Sequence, residues 1–378
     1  MNAGPAAGAP AELWEQAPAG SDVAVRAPGR ANLIGEHTDY NDGLVLPVAL
    51  DLQTTLVGRR QQGRVRLRSL DVDEVAEVDL VTGRGTTTGW GRYVTAVVAE
   101  LRSAGLALHG VDGVLSTTLP VGAGLSSSAA LEVAVALALL DDRLPPVELA
   151  RLCQRAEQAA AGLQTGLMDQ LASVCGVRAA ALLIDCRTTT VESVPLPPSL
   201  RVLLVDSAVP RVLATTAYDE RRRQCEQAAA ALGVVSLRDV DEQSLTQGRD
   251  RTDPVDWRRA RHVVTENARV LAAVAALARG DVAEVGRLFA ASQRSMAEDF
   301  EISTPEIDTL VALAVATPGV VASRLTGRGF GGCTVSLVEA DRAPAVAANL
   351  LSRYGEVTGL PPRAWVCDPV AGAGALLR

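Results

Sequence analysis

The chain contains no lysine; all 36 of its basic residues are arginine. This absence excludes three mechanisms at once. A Walker A loop and a protein-kinase site each place a lysine on nucleotide phosphates, and a pyridoxal enzyme needs a Schiff-base lysine. Aromatic residues make up only 3% of the chain, so Leu, Val and Ala must fill the core. Histidine is scarce (His37, His109, His262), and the six cysteines (Cys153, Cys175, Cys186, Cys225, Cys333, Cys367) form no C-x-x-C pair. No zinc spacing results, and the cysteines read as thiols suited to a reducing compartment. Basic residues do not outnumber acidic ones: 36 against 44 leave a net charge of −8. With no basic stripe, a nucleic-acid partner is not expected. Long hydrophobic runs are missing too. A stretch such as Val133 to Leu140 is about eight residues, whereas a membrane span needs about 20. Met1 to Pro10 carries no basic segment before an apolar one, so it does not read as a signal peptide. A cytoplasmic protein without membrane partners, monomeric rather than oligomeric, is the expectation.

A length of 378 residues allows two domains or one large α/β unit. Residues 1–20 read as a loose leader. Strand-like segments follow from Val23, over Val45 to Val57, and at Arg64 to Leu70, where apolar and basic residues alternate. Helical periodicity marks Trp90 to Ala104, Leu131 to Leu140, Pro145 to Ala161 and Met168 to Cys175. Val194-Pro-Leu-Pro-Pro198 reads as the linker between domains spanning 21–194 and 199–378. Beyond it, strands at Val202, Val321, Thr334 and Ala364 are interleaved with helices from Tyr218, Arg258, Val282, Pro305 and Ala343. Mixed strands and helices in two halves predict an α+β fold.

Four segments carry chemistry. Pro120 to Ser128 (Pro-Val-Gly-Ala-Gly-Leu-Ser-Ser-Ser) runs straight into an apolar helix. Glycines let backbone N–H groups converge, and the helix adds its positive end, which makes an anion site suited to phosphate. The serines can donate to phosphate oxygens or ligate Mg2+. Arg30, Glu36, His37 and Asp39 crowd into ten positions, a mixture of donors and acceptors that suits a polyhydroxylated ligand. It also suits a solvated turn. Asp169, in Gly166-Leu-Met-Asp-Gln170, stands at a helix start, where a cap is the ordinary explanation. Thr326-Gly-Arg-Gly-Phe-Gly-Gly332 is a second glycine loop, between two strands.

Together, the string Ala27 to Pro47 with its Gly-Glu-His-Thr-Asp-Tyr-Asn, the Pro120 loop and Gly-Phe-Gly-Gly resemble the GHMP small-molecule kinases. The first string resembles their galactokinase branch rather than the mevalonate or homoserine kinases. The resemblance implies an N-terminal domain like ribosomal S5 domain 2, a ferredoxin-like C-terminal domain, and an active site in the cleft between them. It implies ATP-dependent phosphorylation of D-galactose at the C1 hydroxyl, with ATP and Mg2+ as cofactors. A related sugar (N-acetylgalactosamine or L-arabinose) and a non-catalytic sugar sensor stand as alternatives. Asp169 would be the catalytic carboxylate and Arg30 its partner. Glu36, His37, Asp39, Gly166 and Tyr218 would hold the sugar. Gly122, Ala123, Gly124, Leu125, Ser126, Ser127 and Ser128 would wrap the ATP phosphates, and Trp90 would lie near the adenine. Ser127 and Glu157 would hold Mg2+. Arg328 departs from the pattern, because the family mostly has a small residue there.

Overall fold

The structure, a computed structural model, describes residues 9–210 and 214–377. Its largest sheet has six strands, in the order Gly374–Ala375, Val23–Asn32, Pro47–Gln61, Gly110–Thr117, Arg64–Ser69, Val75–Asp79. Neighbours are antiparallel, except that Arg64–Ser69 runs parallel to Gly110–Thr117. Helix Ser127–Leu139 packs against the two longest strands of this sheet and is buried on nearly every side. That explains its almost wholly apolar sequence, since a helix covered all round needs no polar face. Helix Met168–Cys175 lies on the same strands and packs against helices Ser127–Leu139 and Pro146–Ala161. A small sheet of Leu44–Val45, Ala180–Asp185 and Thr190–Pro195 stands beside it.

The second layer is a four-stranded antiparallel sheet ordered Val320–Leu325, Cys333–Glu339, Leu200–Asp206, Arg363–Cys367. Numbered along the chain, that order is 2-3-1-4, the split β-α-β-β-α-β arrangement of a ferredoxin-like layer. Helices Val282–Glu298, Pro305–Val315 and Ala343–Thr358 pack on it, and the 25-residue Pro254–Ala278 packs on the first of these. The two halves share one continuous apolar core. It joins Leu33, Val48 and Leu131 of the first half to Val202, Val270, Phe289 and Leu337 of the second.

Three expectations change. The leader is not loose throughout: residues 11–16 form helix Ala11–Gln16, and Leu13 is buried against Val57, Val114 and Leu376. Residues 1–8 lie outside the described residues. The linker is shorter than expected, because strand Thr190–Pro195 continues through Val194, which pairs with Ala181. The C-terminal segment does not stay with the second half. Gly374 and Ala375 pair with Arg26 and Val25, adding an edge strand to the first sheet. Short strands such as Val75–Asp79 escape a periodicity reading because they expose every other residue and span few positions.

Leu13 anchors the leader helix to the sheet. Leu13→Ala is expected to lower unfolding stability by about 2–4 kcal/mol, as for a buried leucine whose site cannot fully collapse. Denaturant unfolding checks this; a loss below about 0.5 kcal/mol would show the leader to be dispensable to the core.

Candidate active site

The two glycine loops meet across the cleft. In the first, Gly122 (φ +80°) and Gly124 (φ +85°) take left-handed conformations open to glycine, and Ser126 follows at φ +60°. Ser126 is the residue before helix Ser127–Leu139, and its side chain accepts no capping hydrogen bond. Its hydroxyl points instead to Asp169, donating to Oδ2 at 2.6 Å. A left-handed serine at a binding site is the kind of local strain that surrounding structure must hold in place. In the second loop, a Cβ on Gly327 would come within 3.2 Å of the Gly124 carbonyl oxygen. The loops therefore touch backbone to backbone.

Arg30 connects the parts. Its Nε and Nη2 reach Oδ1 of Asp169 at 2.8 and 2.7 Å, and its Nη1 donates to the Gly124 carbonyl at 2.7 Å. Its backbone N–H donates to the carbonyl of Leu125 at 3.2 Å. The side chains of Ala123 and Leu125 turn into the core, so this loop offers a ligand its backbone rather than those side chains.

One cleft is lined by Arg30, Glu36, His37, Asp39, Gly166, Asp169, Tyr218 and Arg328, among others. Every residue expected to act on the sugar is in that set. Gly166 is there for space: a Cβ would fall 1.8 Å from Oδ2 of Asp39. Burial, and then the nearby Asp169 carboxylate, push the Asp39 pKa up to about 6. Burial lowers the His37 pKa to about 3, so the ring is neutral at physiological pH. Its Nε2 lies 3.1 Å from the carbonyl of Arg328, and a carbonyl only accepts, so Nε2 carries the proton. Nδ1 then accepts from the Tyr40 hydroxyl at 2.7 Å. Both ring nitrogens are occupied. His37 forms a wall of the cleft and a tie to the second glycine loop, with no ring nitrogen left over for a hydroxyl.

Glu36 is supported from behind. Its Oε1 accepts from Gly327 N–H at 3.0 Å, and its Oε2 forms a buried ion pair with Arg324. Burial raises the Glu36 pKa, against the Arg324 charge, which lowers it. Arg324 is fully buried and also faces Glu266 at 3.5 Å. Burial alone would raise the Glu266 pKa, but Arg269 and Arg324 outweigh it and hold the group down at about 2. Glu266 accepts from Gly35 N–H at 3.0 Å, and Asn267 on the same helix accepts from Leu44 N–H at 2.8 Å. The long helix thus fixes the turn that presents Glu36, His37 and Asp39. Sequence reasoning missed Arg324 and Glu266 as a pair. The signal was weak: two charges 58 positions apart.

Ser127 and Glu157 are the pair expected to hold a metal ion. The hydroxyl that meets Glu157 belongs to Ser128, which donates to Oε1 at 2.7 Å, and not to Ser127. Successive helical residues are rotated by about 100°, so neighbouring serines face different partners. No group of three or more His, Cys, Asp or Glu forms a metal cage among the described residues. Magnesium does not require one, since it keeps waters and is held by one or two carboxylates plus phosphates. A carboxylate beside a hydroxyl at a phosphate loop fits that chemistry. Gln170 also donates to Glu157 Oε2, at 2.8 Å, and to the buried Glu132 at 3.2 Å. Trp90 lies outside the lining residues. It precedes helix Gly91–Ser103, packs on the main core, and has a buried indole N–H without a hydrogen-bond partner.

Comparison with known proteins accords with this geometry. A family model described as the galactokinase galactose-binding signature matches residues 13–60. The GHMP kinase N-terminal and C-terminal domain models match residues 92–177 and 273–357. A curated galactokinase of Roseiflexus sp. (strain RS-1) is 45% identical over 366 residues, covering 94% of this chain and 93% of that protein. The chain belongs to the galactokinase family. The galactokinase of Homo sapiens is 46% identical over 347 residues, covering 88% of each chain. The crystal structure of Lactococcus lactis galactokinase complexed with galactose superposes with a TM-score of 0.89 at 32% identity, over 94% of this chain and 95% of that one. A mevalonate kinase structure, at 17% identity and a TM-score of 0.62 over 92% of this chain and 99% of that one, shares the fold. The two-domain GHMP kinase architecture is that of this family member, and no helix among the described residues is long and apolar enough to cross a membrane.

Arg324→Met would leave Glu36 and Glu266 buried beside each other with their shared cation gone. Breaking a buried pair in this way is expected to cost about 3–5 kcal/mol of unfolding stability. Denaturant unfolding of the variant measures it, and a loss under about 1 kcal/mol would show that Arg269 alone suffices.

Proposed function

We propose that this galactokinase-family chain transfers the γ-phosphoryl group of ATP to the C1 hydroxyl of D-galactose. The observation that carries the reading is the Asp169 carboxylate. It is held by Arg30 through Oδ1 and by Ser126 through Oδ2, at the seam between a sugar-type cleft and a phosphate-type loop. In the reaction, the sugar O1–P bond forms and the bond between Pγ and the leaving oxygen of ADP breaks. The electron pair of the broken bond stays with ADP, and the O1 proton passes to Asp169. Phosphoryl transfer is mostly positioning and charge neutralisation. The Arg30 guanidinium holds the base in one orientation. Glu36 and Asp39, both on the cleft lining, would accept from sugar hydroxyls, while His37 and Tyr218 shape the wall. Backbone N–H groups of Gly122 to Ser128 and the helix end behind them would receive the phosphates. Glu157 with Ser128 would hold Mg2+, which supplies positive charge to the phosphate oxygens when bound.

ADP release with Mg-ATP over galactose, N-acetylgalactosamine, arabinose, glucose and mevalonate tests the reading. Turnover is expected with galactose at the highest kcat/KM, and none with mevalonate. Loss of activity with every sugar would end the proposal.

Asp169→Asn is expected to lower kcat by about 10²–10⁴-fold, the range for a positioned base. Galactose binding measured calorimetrically should change less than about threefold, because the sugar contacts remain. Near-normal turnover in the purified variant would refute the base assignment.

Asp39 accepts a sugar hydroxyl as a carboxylate, and its pKa of about 6 lies above the usual 3.8. Acidification below pH 6 protonates it, so the galactose dissociation constant should rise about tenfold per pH unit there and level off above pH 7. Titration calorimetry from pH 5 to 8 reads this directly, and a flat profile would remove Asp39 from the binding set.

A further inference from the structure

Arg328 presents an uncommitted guanidinium on a fixed backbone. Its neighbours Gly327 (φ +87°) and Gly329 (φ +81°) are both left-handed. Gly327 N–H donates to Glu36 at 3.0 Å, the Arg328 carbonyl accepts from His37 at 3.1 Å, and Phe330 N–H donates to the Ile302 carbonyl at 2.8 Å. The main chain is thus tied down before, at and after the arginine. The side chain is held far less firmly. Its Nη2 stands 3.7 Å from Oε1 of Glu157, too long for a hydrogen bond, and its guanidinium lies 5.5 Å from the ring centre of Tyr218. About a third of it remains exposed, at 32%. No side-chain hydrogen bond holds it among the described residues.

The other arginine of the cleft differs on each point. Arg30 is 5% exposed and has three nitrogens directed at Asp169 and Gly124. Its guanidinium is engaged before any substrate arrives. In a chain without lysine, Arg328 is the cleft cation with N–H groups still to give. Its position between Tyr218 on the sugar wall and Glu157 beside the serine loop is where a phosphoryl group would pass.

We propose that Arg328 is a catalytic residue that leaves its loose pair with Glu157 and binds the oxygens of the phosphoryl group as it moves from ATP to the sugar, and then those of the sugar 1-phosphate. This rests on the kinase reading and extends it. Arg328 exchanges no proton and forms no covalent bond; bond making, bond breaking and proton transfer stay as written above. Its contribution is charge and a planar fork that matches phosphate oxygens in pairs. The Glu157 pair parks the cation and neutralises the carboxylate while the cleft is empty. On phosphate binding the guanidinium moves a short way, and Glu157 becomes available to a metal ion.

The test uses the full chain and the variants R328A and R328K. Removing an arginine that acts on transferring phosphoryl groups costs up to 10³–10⁵-fold elsewhere. Here Arg30 and the helix end share the charge, so R328A should lower kcat by about 10²-fold, with R328K intermediate because it keeps the charge but loses the fork. Equilibrium binding of galactose 1-phosphate in EDTA reads the same contact without turnover or metal. R328A should weaken it by at least about tenfold while galactose binding changes less than about threefold. Equal losses for galactose and galactose 1-phosphate would show a structural role for the loop and overturn the proposal. So would unchanged kcat, or a kcat that rises because the guanidinium merely obstructs Glu157. Wild-type protein that fails to consume ATP with galactose would instead refute the kinase reading, and this inference with it; normal wild-type turnover beside unaltered R328A would refute only the inference.

Discussion

The Arg30–Asp169 pair is the contact on which the site depends. It joins the first strand of the main sheet to the start of a short helix, and through the Gly124 carbonyl it also fixes the glycine loop. Three elements distant in sequence are set by one guanidinium. Because Ser126 takes the second carboxylate oxygen, the aspartate has little freedom to rotate. A carboxylate so held is aligned in the free protein, and as the proposed base it would draw on the advantage of positional catalysis. The left-handed serine is part of the same arrangement: its unusual backbone turns the hydroxyl away from capping its own helix and toward Asp169.

A second shell of charge stands behind the sugar side. Arg324 is buried between Glu36 and Glu266, and Glu266 in turn holds the Gly35 amide. Burying three charges is costly unless each has a partner, and here the partners come from different halves of the chain. The arrangement therefore acts as a register device. The cleft can assume its shape only when the long helix, the second sheet and the turn after the first strand are all in place.

Much of this was legible in the sequence, and the reasons are specific. Helix Met168–Cys175 follows from its apolar spacing and strand Ala180–Asp185 from its short apolar run. The glycine loop and the Arg30 to Asp39 cluster were legible because their residue types are unusual for their density, and the cleft gathers them with Asp169, Gly166 and Tyr218. What spacing could not give was the partner of each side chain. Ser127 and Ser128 are indistinguishable as letters, and only the helical rotation decides which faces Glu157. The part played by Arg324 was illegible for the same reason: a lone arginine in a strand reads as an exposed charge until its two carboxylates are located. His37 reads as a ligand-binding imidazole, yet its tautomer and both its partners depend on a tyrosine three positions away and a carbonyl 291 positions away.

The edge strand Gly374–Ala375 lies against the first strand, and Arg26 donates to the carbonyl of Ala371, 345 positions downstream. The strand that carries Arg30 is thus flanked by some of the last described residues to leave a ribosome. During synthesis that edge stays unpaired until residues 374 and 375 have emerged, and a nascent chain would expose an open β-rim until then. Proteolytic nicking near residue 370 should therefore loosen, from a distance, the strand that carries Arg30.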